Sequence, residues 1–526
     1  MSLLTMLARS AERVPGRPAL VFRGRALSYG ALLAGAQALG QRLSSHGVGP
    51  GQRVALQMPN TPEFGVAYFG ILMSGATVVP LNPLLKADEV RYILQDSEVA
   101  AILSLPMGYP VLREARQGLG RGMPIILLGG DVDGREAGDV AFAPEAAPAL
   151  APAVPPLDGN AVAVCLYTSG TTGRPKGALL THRNLLANLL DFNQVLQATE
   201  TDVFLTVLPM FHAFAATVMF LGPIMLGATI VVEPRFVPDL VLKAVADHRV
   251  TLFSGVPTMY AMLAAAPRPP LDLSSWRLCI SGGAALPPPV LEAFEAKYGV
   301  PIYEGYGPTE CSPVLTVNPP RGVRKIGSVG PAIPEVELGI VDDEDRPQPC
   351  GTVGEIVARG PNVMLGYLNR PTETAQALRN GWYHTGDLGR VDEDGYYTIV
   401  DRKTDLIIVG GLNVYPREIE LVFAQHPAVA ESAVIGVPDP LRGEVPQAMV
   451  VLREGAEATP QSLLAWCRAR LAAYKIPRGL KIVPALPKTV TGKILKSQLR
   501  AAAQGGPGRA GPGRRGGSAP SPDYSQ

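Results

Sequence analysis

The chain carries almost no excess charge. Lys and Arg number 47 against 46 Asp and Glu, a balance that gives no support to a nucleic-acid partner or a polybasic membrane anchor. Cysteine is scarce. The five cysteines, at 165, 279, 311, 350 and 467, form no C-x-x-C pair. That argues against a zinc site and for reduced thiols in a cytoplasmic protein. No secretory leader is expected, because the run before Arg9 is too short for an apolar leader core. An uncharged stretch of twenty residues, 213–232, has the length of a membrane span, but Gly222-Pro223 and Gly227 interrupt it and it ends in the β-like "ATIVV". It reads as a buried helix followed by a core strand. Two familiar motifs are also missing. A Walker A loop fails because Pro175 stands five residues after Gly170 and Gly177 follows Lys176. A nucleophile elbow fails at Ser169, Ser254 and Ser281, none of which has Gly two residues before it.

What is there is an alternating pattern. From about residue 50, short apolar runs such as "RVALQM", "TVVPL", "AAILSL" and "PIILL" alternate with helix-like segments. That pattern predicts α/β architecture with largely parallel sheets. Residues 142–159 form a Pro/Ala loop, and a β-rich stretch follows residue 325. After "DRKTD" the texture becomes a compact β/α unit, with Pro416 opening the helix "PREIELVFAQ". Three segments result: 1–403, 404–500, and a Gly/Pro-rich tail, 501–526, expected to be disordered.

The most informative stretch is "YTSGTTGRPKGALLTH", residues 167–182. The apolar "AVAVCLY" before it predicts a strand. "THRNLLANLLDF" after it predicts a helix capped by Thr181. Between them, glycines expose backbone N–H groups, and hydroxyls and Lys176 add donors, which together suit phosphate oxygens. Five weaker signals accompany it: His212 in "PMFHAFA", a glycine turn in "SGGAALP", Tyr306 and Glu310 in "YEGYGPTEC", Asp387 in "YHTGDLG", and Lys493 in "PKTVTGKILK". Taken singly, each fits a packed core residue or a solvated surface charge as well as a site.

Taken in order, the six motifs resemble the acyl-adenylate-forming (AMP-binding) family of acyl-CoA synthetases, peptide-synthetase adenylation domains and luciferases. The match runs from about residue 10 to 500. "FHAFA" with "GYGPTECSPVLTVNP" is most similar to bacterial long-chain fatty acid–CoA ligases. The resemblance implies a large N-terminal part of α/β sheets plus a β-barrel, and a small mobile α+β C-terminal domain. It implies attack of a carboxylate on the α-phosphorus of ATP, with Mg²⁺, followed by transfer of the acyl group to coenzyme A. It places Thr168, Ser169, Gly170, Thr171, Thr172 and Lys176 on the β- and γ-phosphates, Glu310 on Mg²⁺ and Thr309 on the α-phosphate. Tyr306, Gly307, Gly283 and Ala284 would surround adenine, and Asp387 and Arg402 the ribose. Lys493 would bridge carboxylate and α-phosphate in adenylation, His212 would border the acid, and Gly410 and Gly411 would line the CoA tunnel. The pivot falls at Thr404, where the family usually has Asp or Lys.

The same resemblance narrows the acid. Amino-acid activators carry Asp where this chain has His212. Acetyl-type relatives carry Trp where this chain has Gly307, so an open acyl pocket is expected. No insertion typical of CoA-independent ligases precedes "YHTGD". A fatty acid, long-chain in preference, is the expected substrate, with a medium-chain or aryl acid as the alternative. Ala213, Phe214, Ala215, Val218 and Met219 fit either an alkyl tunnel or core. The resemblance leaves room for a homodimer and for peripheral membrane contact, without a transmembrane segment.

Overall fold

The computed structural model describes residues 1–120, 122–143, 155–168, 174–489 and 492–503. The chain divides into two compact units, Met1–Thr404 and a second beginning at Asp405, one residue later than the expected start.

The first unit holds two eight-stranded sheets. In one, parallel strands run in the order Ile302–Tyr306, Leu278–Ser281, Leu252–Gly255, Val203–Thr206, Thr229–Val232, Pro18–Phe22, with an antiparallel strand at each edge. In the other, the parallel set Val162–Thr168, Thr77–Leu81, Arg53–Gln57, Ala101–Ser104, Ile125–Leu128, Val140–Phe142 is extended by antiparallel Lys176–Thr181 and Gly366–Tyr367. Strands buried on both faces read as continuous apolar runs, which is why "TVVPL" and "IILL" carry no alternation.

A core cluster joins the elements of both sheets. Helix Pro62–Met73 is buried from Phe64 onward, and Phe64, Tyr68, Phe69 and Phe220 meet there in edge and stacked pairs. Each such ring removes enough apolar surface from water to stabilise the fold by about 1.5–3 kcal/mol. The uncharged stretch supplies Phe220 and behaves as expected. It is helical to Leu226, with a π-helical segment Ala215–Leu221, a left-handed cap at Gly227 and the strand Thr229–Val232. Thr206 Oγ1 donates to the Met219 carbonyl, and Asn193 Nδ2 to that of Gly222. Neighbouring side chains thus serve backbone groups along the wider turn. Among the described residues no helix is long and apolar enough to cross a membrane.

The β-rich stretch after 325 forms a four-stranded antiparallel sheet in the order Glu337–Val341, Gly354–Arg359, Tyr383–Val391, Tyr397–Arg402. Residues 144–154 of the expected Pro/Ala loop lie outside the described residues.

The second unit is a five-stranded sheet built on the long pair Val429–Asp439 and Gly443–Leu452. Its core includes Ile407, Val414, Ile419, Phe423, Val434, Val450 and Leu463. Helix Pro416–Ala424 begins at Pro416, as read from the sequence. Helix Lys496–Ala503 runs three residues into the segment assigned to the tail, and 504–526 lie outside the described residues.

Candidate active site

The hydroxyl-rich stretch is a hairpin between the two antiparallel strands Val162–Thr168 and Lys176–Thr181, in which Thr168 pairs with Lys176. Ala163–Leu166 are buried, so the strand is anchored in the sheet while its end reaches the surface. Ser169, Gly170, Thr171 and Thr172 lie outside the described residues. Both ends of the hairpin are fixed. Tyr167 donates to Asp96 Oδ2 at 2.7 Å, Asp96 Oδ1 also takes Arg370 at 2.8 Å, and Tyr92 donates to the Pro175 carbonyl. Helix His182–Leu196 follows, and Thr181 caps it by accepting the Asn184 N–H.

Glu310 lies in the short turn Thr309–Cys311, just past the strand that ends in Tyr306. It is 8 % exposed. Its Oε1 accepts the hydroxyl of Tyr367 at 2.8 Å and lies 3.5 Å from Thr168 Oγ1. The Tyr367 ring faces Lys176, whose Nζ stands 5.4 Å from the ring centroid. Thr309, half-buried, precedes Glu310 in the same turn.

Tyr306, Asp387 and Arg402 form a second, contiguous group. Tyr306 donates to Asp387 Oδ2 at 2.7 Å, and Arg402 Nε lies 3.1 Å from Oδ1. Asp387 and Arg402 are direct cross-strand partners, so the pairing is a register property. Burial, and then the Asp387 charge, push the Tyr306 phenol well above its usual range, so it stays a donor. Behind Asp387, the buried Glu355 accepts the N–H of Gly386 at 3.1 Å and the ammonium of Lys403 at 3.0 Å. Burial would raise the Glu355 carboxyl, but Lys403, the Gly386 N–H and His384 together hold the group below the ordinary carboxylate range. Thr404, next to Lys403, is exposed.

His212 is half-buried, and its Nδ1 accepts the N–H of Phe214 at 3.4 Å. The Phe214 ring covers Gly282, where a Cβ would lie 3.2 Å from it. The "PMFHAFA" and "SGGAALP" stretches therefore touch. Gly283 takes a left-handed φ of +78°, and it and Ala284 are exposed.

Two substrate readings change. A Cβ on Gly307 would stand 1.8 Å from the carbonyl oxygen of Pro313 and 2.8 Å from the Leu315 nitrogen. Backbone fills the space that a side chain would enter, so Gly307 marks a close approach of two loop segments and not the floor of an open pocket. Ala215, Val218 and Met219 are fully buried, the last two in the main core beside Phe220. Of the two sequence readings of these residues, core describes Val218 and Met219.

Gly410, Gly411 and Lys493 belong to the second unit. Gly410 and Gly411, with φ of +58° and +83°, make the two-residue turn between strands Ile407–Val409 and Leu412–Val414, where both central positions require positive φ. Lys493 is exposed, and its backbone N–H and carbonyl close a turn on Thr489.

Sequence reasoning passed over Tyr367, Glu355, Lys403 and Asp96. The only local signal for Tyr367 was its glycine neighbour in "MLGYL".

The AMP-binding enzyme model matches residues 7–368, and the AMP-binding enzyme C-terminal domain matches 418–493. The chain belongs to the AMP-binding enzyme family. It is 38 % identical to a long-chain-fatty-acid–CoA ligase of Bacillus subtilis, over 95 % of this chain and 94 % of that one. It is 39 % identical to a feruloyl-CoA synthase of Amycolatopsis sp., over 94 % and 97 % respectively. ATP-bound MatB from Rhodopseudomonas palustris superimposes with a TM-score of 0.87 at 32 % identity, covering 96 % of this chain and 99 % of that one. The protein is an ATP-dependent, AMP-forming acid–CoA ligase, and ATP and coenzyme A are its substrates.

Such ligases imply Mg²⁺, and the donor set fits it. Glu310 offers one buried carboxylate with the Thr168 hydroxyl beside it. Among the described residues no group of three or more His, Cys, Asp or Glu is gathered to cage an ion. One carboxylate plus phosphate oxygens and water is a donor set Mg²⁺ accepts.

Proposed function

We propose that this enzyme activates a fatty acid, long-chain acids in preference, and transfers the acyl group to coenzyme A. The supporting observation is the contact chain Thr168–Glu310–Tyr367 with Lys176, set in sequence and space beside Tyr306–Asp387–Arg402. These contacts support a reading in which phosphate-type donors and one carboxylate lie near a ribose-type acceptor.

In this reading Lys176, Thr168 and the hydroxyl-rich loop hold the β- and γ-phosphates. Tyr306 stacks on adenine beside the Gly283–Ala284 backbone. Asp387 accepts ribose hydroxyls and Arg402 donates to them. Thr309 donates to the α-phosphate, and Glu310 holds Mg²⁺, which when bound neutralises phosphate charge. The substrate carboxylate attacks the α-phosphorus. A P–O bond forms to the acid, the bond to pyrophosphate breaks, and Lys493 neutralises charge on the carboxylate and α-phosphate. The thiol of CoA then attacks the acyl carbon. A C–S bond forms, the acyl–phosphate bond breaks, AMP leaves and the thiol proton passes to solvent. A pivot at Thr404 exchanges Lys493 for the Gly410–Gly411 turn between the two steps.

The chain-length preference rests on the resemblance of "FHAFA" and "GYGPTECSPVLTVNP" and on the Bacillus relative. The feruloyl-CoA synthase relative, at 39 % identity against 38 % for the Bacillus relative, favours a second reading, an aryl acid. Palmitate, octanoate, ferulate and acetate, each supplied with ATP and CoA and read by AMP release, separate the two. A higher kcat/KM for palmitate than for ferulate supports the first, and the reverse order replaces it with the second.

A further inference from the structure

Tyr367 lies between the two opposite charges of the phosphate site. Its hydroxyl is bonded to Glu310 at 2.8 Å, and its ring face lies under Lys176 Nζ at 5.4 Å. The segment that carries it is an added edge strand on the hydroxyl-rich hairpin itself. Gly366 and Tyr367 pair with Leu179 and Ala178, and Leu368 N–H bonds to the Gly177 carbonyl. Thr374 Oγ1 accepts the Tyr367 N–H at 2.9 Å and its own hydroxyl donates to the Arg370 carbonyl, so the residue is held from behind as well.

A lysine and a glutamate placed in one small site gain by pairing with each other, and a pair so formed is lost to ligand. One aromatic residue can answer both charges at once. A phenol donates to a carboxylate oxygen, and a ring face attracts an ammonium without neutralising it. We infer that Tyr367 is a positioning residue of the nucleotide site: its hydroxyl orients Glu310 for the metal, and its ring holds Lys176 apart from Glu310 and toward the phosphates. This rests on the proposed roles of Glu310 and Lys176.

The two functions separate in two variants, read by direct binding. Tyr367→Phe keeps the ring and loses the hydroxyl. Tyr367→Leu loses both. ATP affinity is measured by calorimetry without the acid, once with Mg²⁺ and once with the metal chelated, alongside thermal unfolding of each variant. Wild type should bind ATP more tightly with Mg²⁺. Tyr367→Phe should bind metal-free ATP like wild type but lose about tenfold of the Mg²⁺-dependent gain, the scale for a hydrogen bond to a charged group. Tyr367→Leu should lose that gain and also weaken metal-free ATP about threefold or more.

A Glu310→Gln control distinguishes the two levels of the argument. If Glu310→Gln loses the Mg²⁺ gain while Tyr367→Phe retains all of it, the positioning role is overturned and the metal assignment stands. If Glu310→Gln also keeps the full gain, the metal assignment falls and the Tyr367 role falls with it. Equal weakening of both ATP forms in Tyr367→Phe overturns the division of labour between hydroxyl and ring.

Discussion

Tyr306 and Asp387 lie 81 positions apart in sequence and share a 2.7 Å hydrogen bond, phenol donating to carboxylate. The bond joins the strand that leads to Glu310 with the strand that carries the Arg402 partner. Asp387 is 5 % exposed, so a lost donor is not simply replaced by bulk water. Tyr306→Phe should keep the aromatic face and release one carboxylate oxygen, at a cost of about 1.5–3 kcal/mol. The expected result is a KM for ATP raised by roughly tenfold or more, with the KM for the acid unchanged. Steady-state kinetics in each substrate measure this, and a rise confined to the acid would detach the pair from the nucleotide.

Glu310→Gln should abolish Mg²⁺-dependent acyl-AMP formation and leave the fold intact. An amide oxygen can still accept from Tyr367 at the 2.8 Å contact, so far-ultraviolet circular dichroism and Tm should stay close to wild type. Pyrophosphate release at limiting Mg²⁺ reads the activity. Wild-type turnover there would sink the assignment.

Gly307→Ala tests packing rather than chain length. The added carbon would meet Pro313 O at 1.8 Å, so the backbone must shift, and overpacking costs about 1–3 kcal/mol or more. Tm should fall and ATP should bind more weakly, because Thr309 and Glu310 follow directly. A stable variant with a shortened acyl preference would restore the open-pocket reading.

Lys493→Ala should lower acyl-AMP formation by on the order of 10²–10³, the scale for one preorganised electrostatic group. Given synthetic acyl-AMP and CoA, the same variant should form thioester at the wild-type rate. Gly411→Leu should do the reverse, with a modest loss of stability because its φ is +83°. Pyrophosphate release reports the first half-reaction and thiol consumption the second. Equal slowing of both halves by Lys493→Ala would give that lysine a more general role.

His182 gives the fold a pH dependence. It is 2 % exposed, and its Nδ1 accepts the Leu3 N–H at 3.3 Å, which requires the neutral ring. Burial lowers its pKa from 6.5 to about 4. The unfolded chain therefore binds more protons between those values, and stability rises with pH across that window. The contribution is complete above 6.5 and is lost as pH falls toward about 4, by roughly 3 kcal/mol. His182→Gln should flatten the Tm–pH curve in this range, and a slope equal to wild type would show that other groups set it.

Much of the architecture is written in short-range signals. Thr181 announces its helix because a cap acts over three residues. "TVVPL" announces a buried strand because a strand buried on both faces carries no alternation. Gly227 marks where the uncharged stretch ends as a helix, because a left-handed cap is local, whereas Gly222-Pro223 lies within the helical run. The order of the six motifs likewise fixed the family without any coordinate. What no short window contains is which side chains meet. Glu310 meets Tyr367 across 57 positions and Thr168 across 142, contacts that exist only because an edge strand adds to the hairpin and one core joins the two sheets. Gly307 read as an open space because a missing side chain looks the same in sequence whether cavity or backbone fills its place. Only tertiary packing, which brings the Pro313 carbonyl to that point, decides between the two.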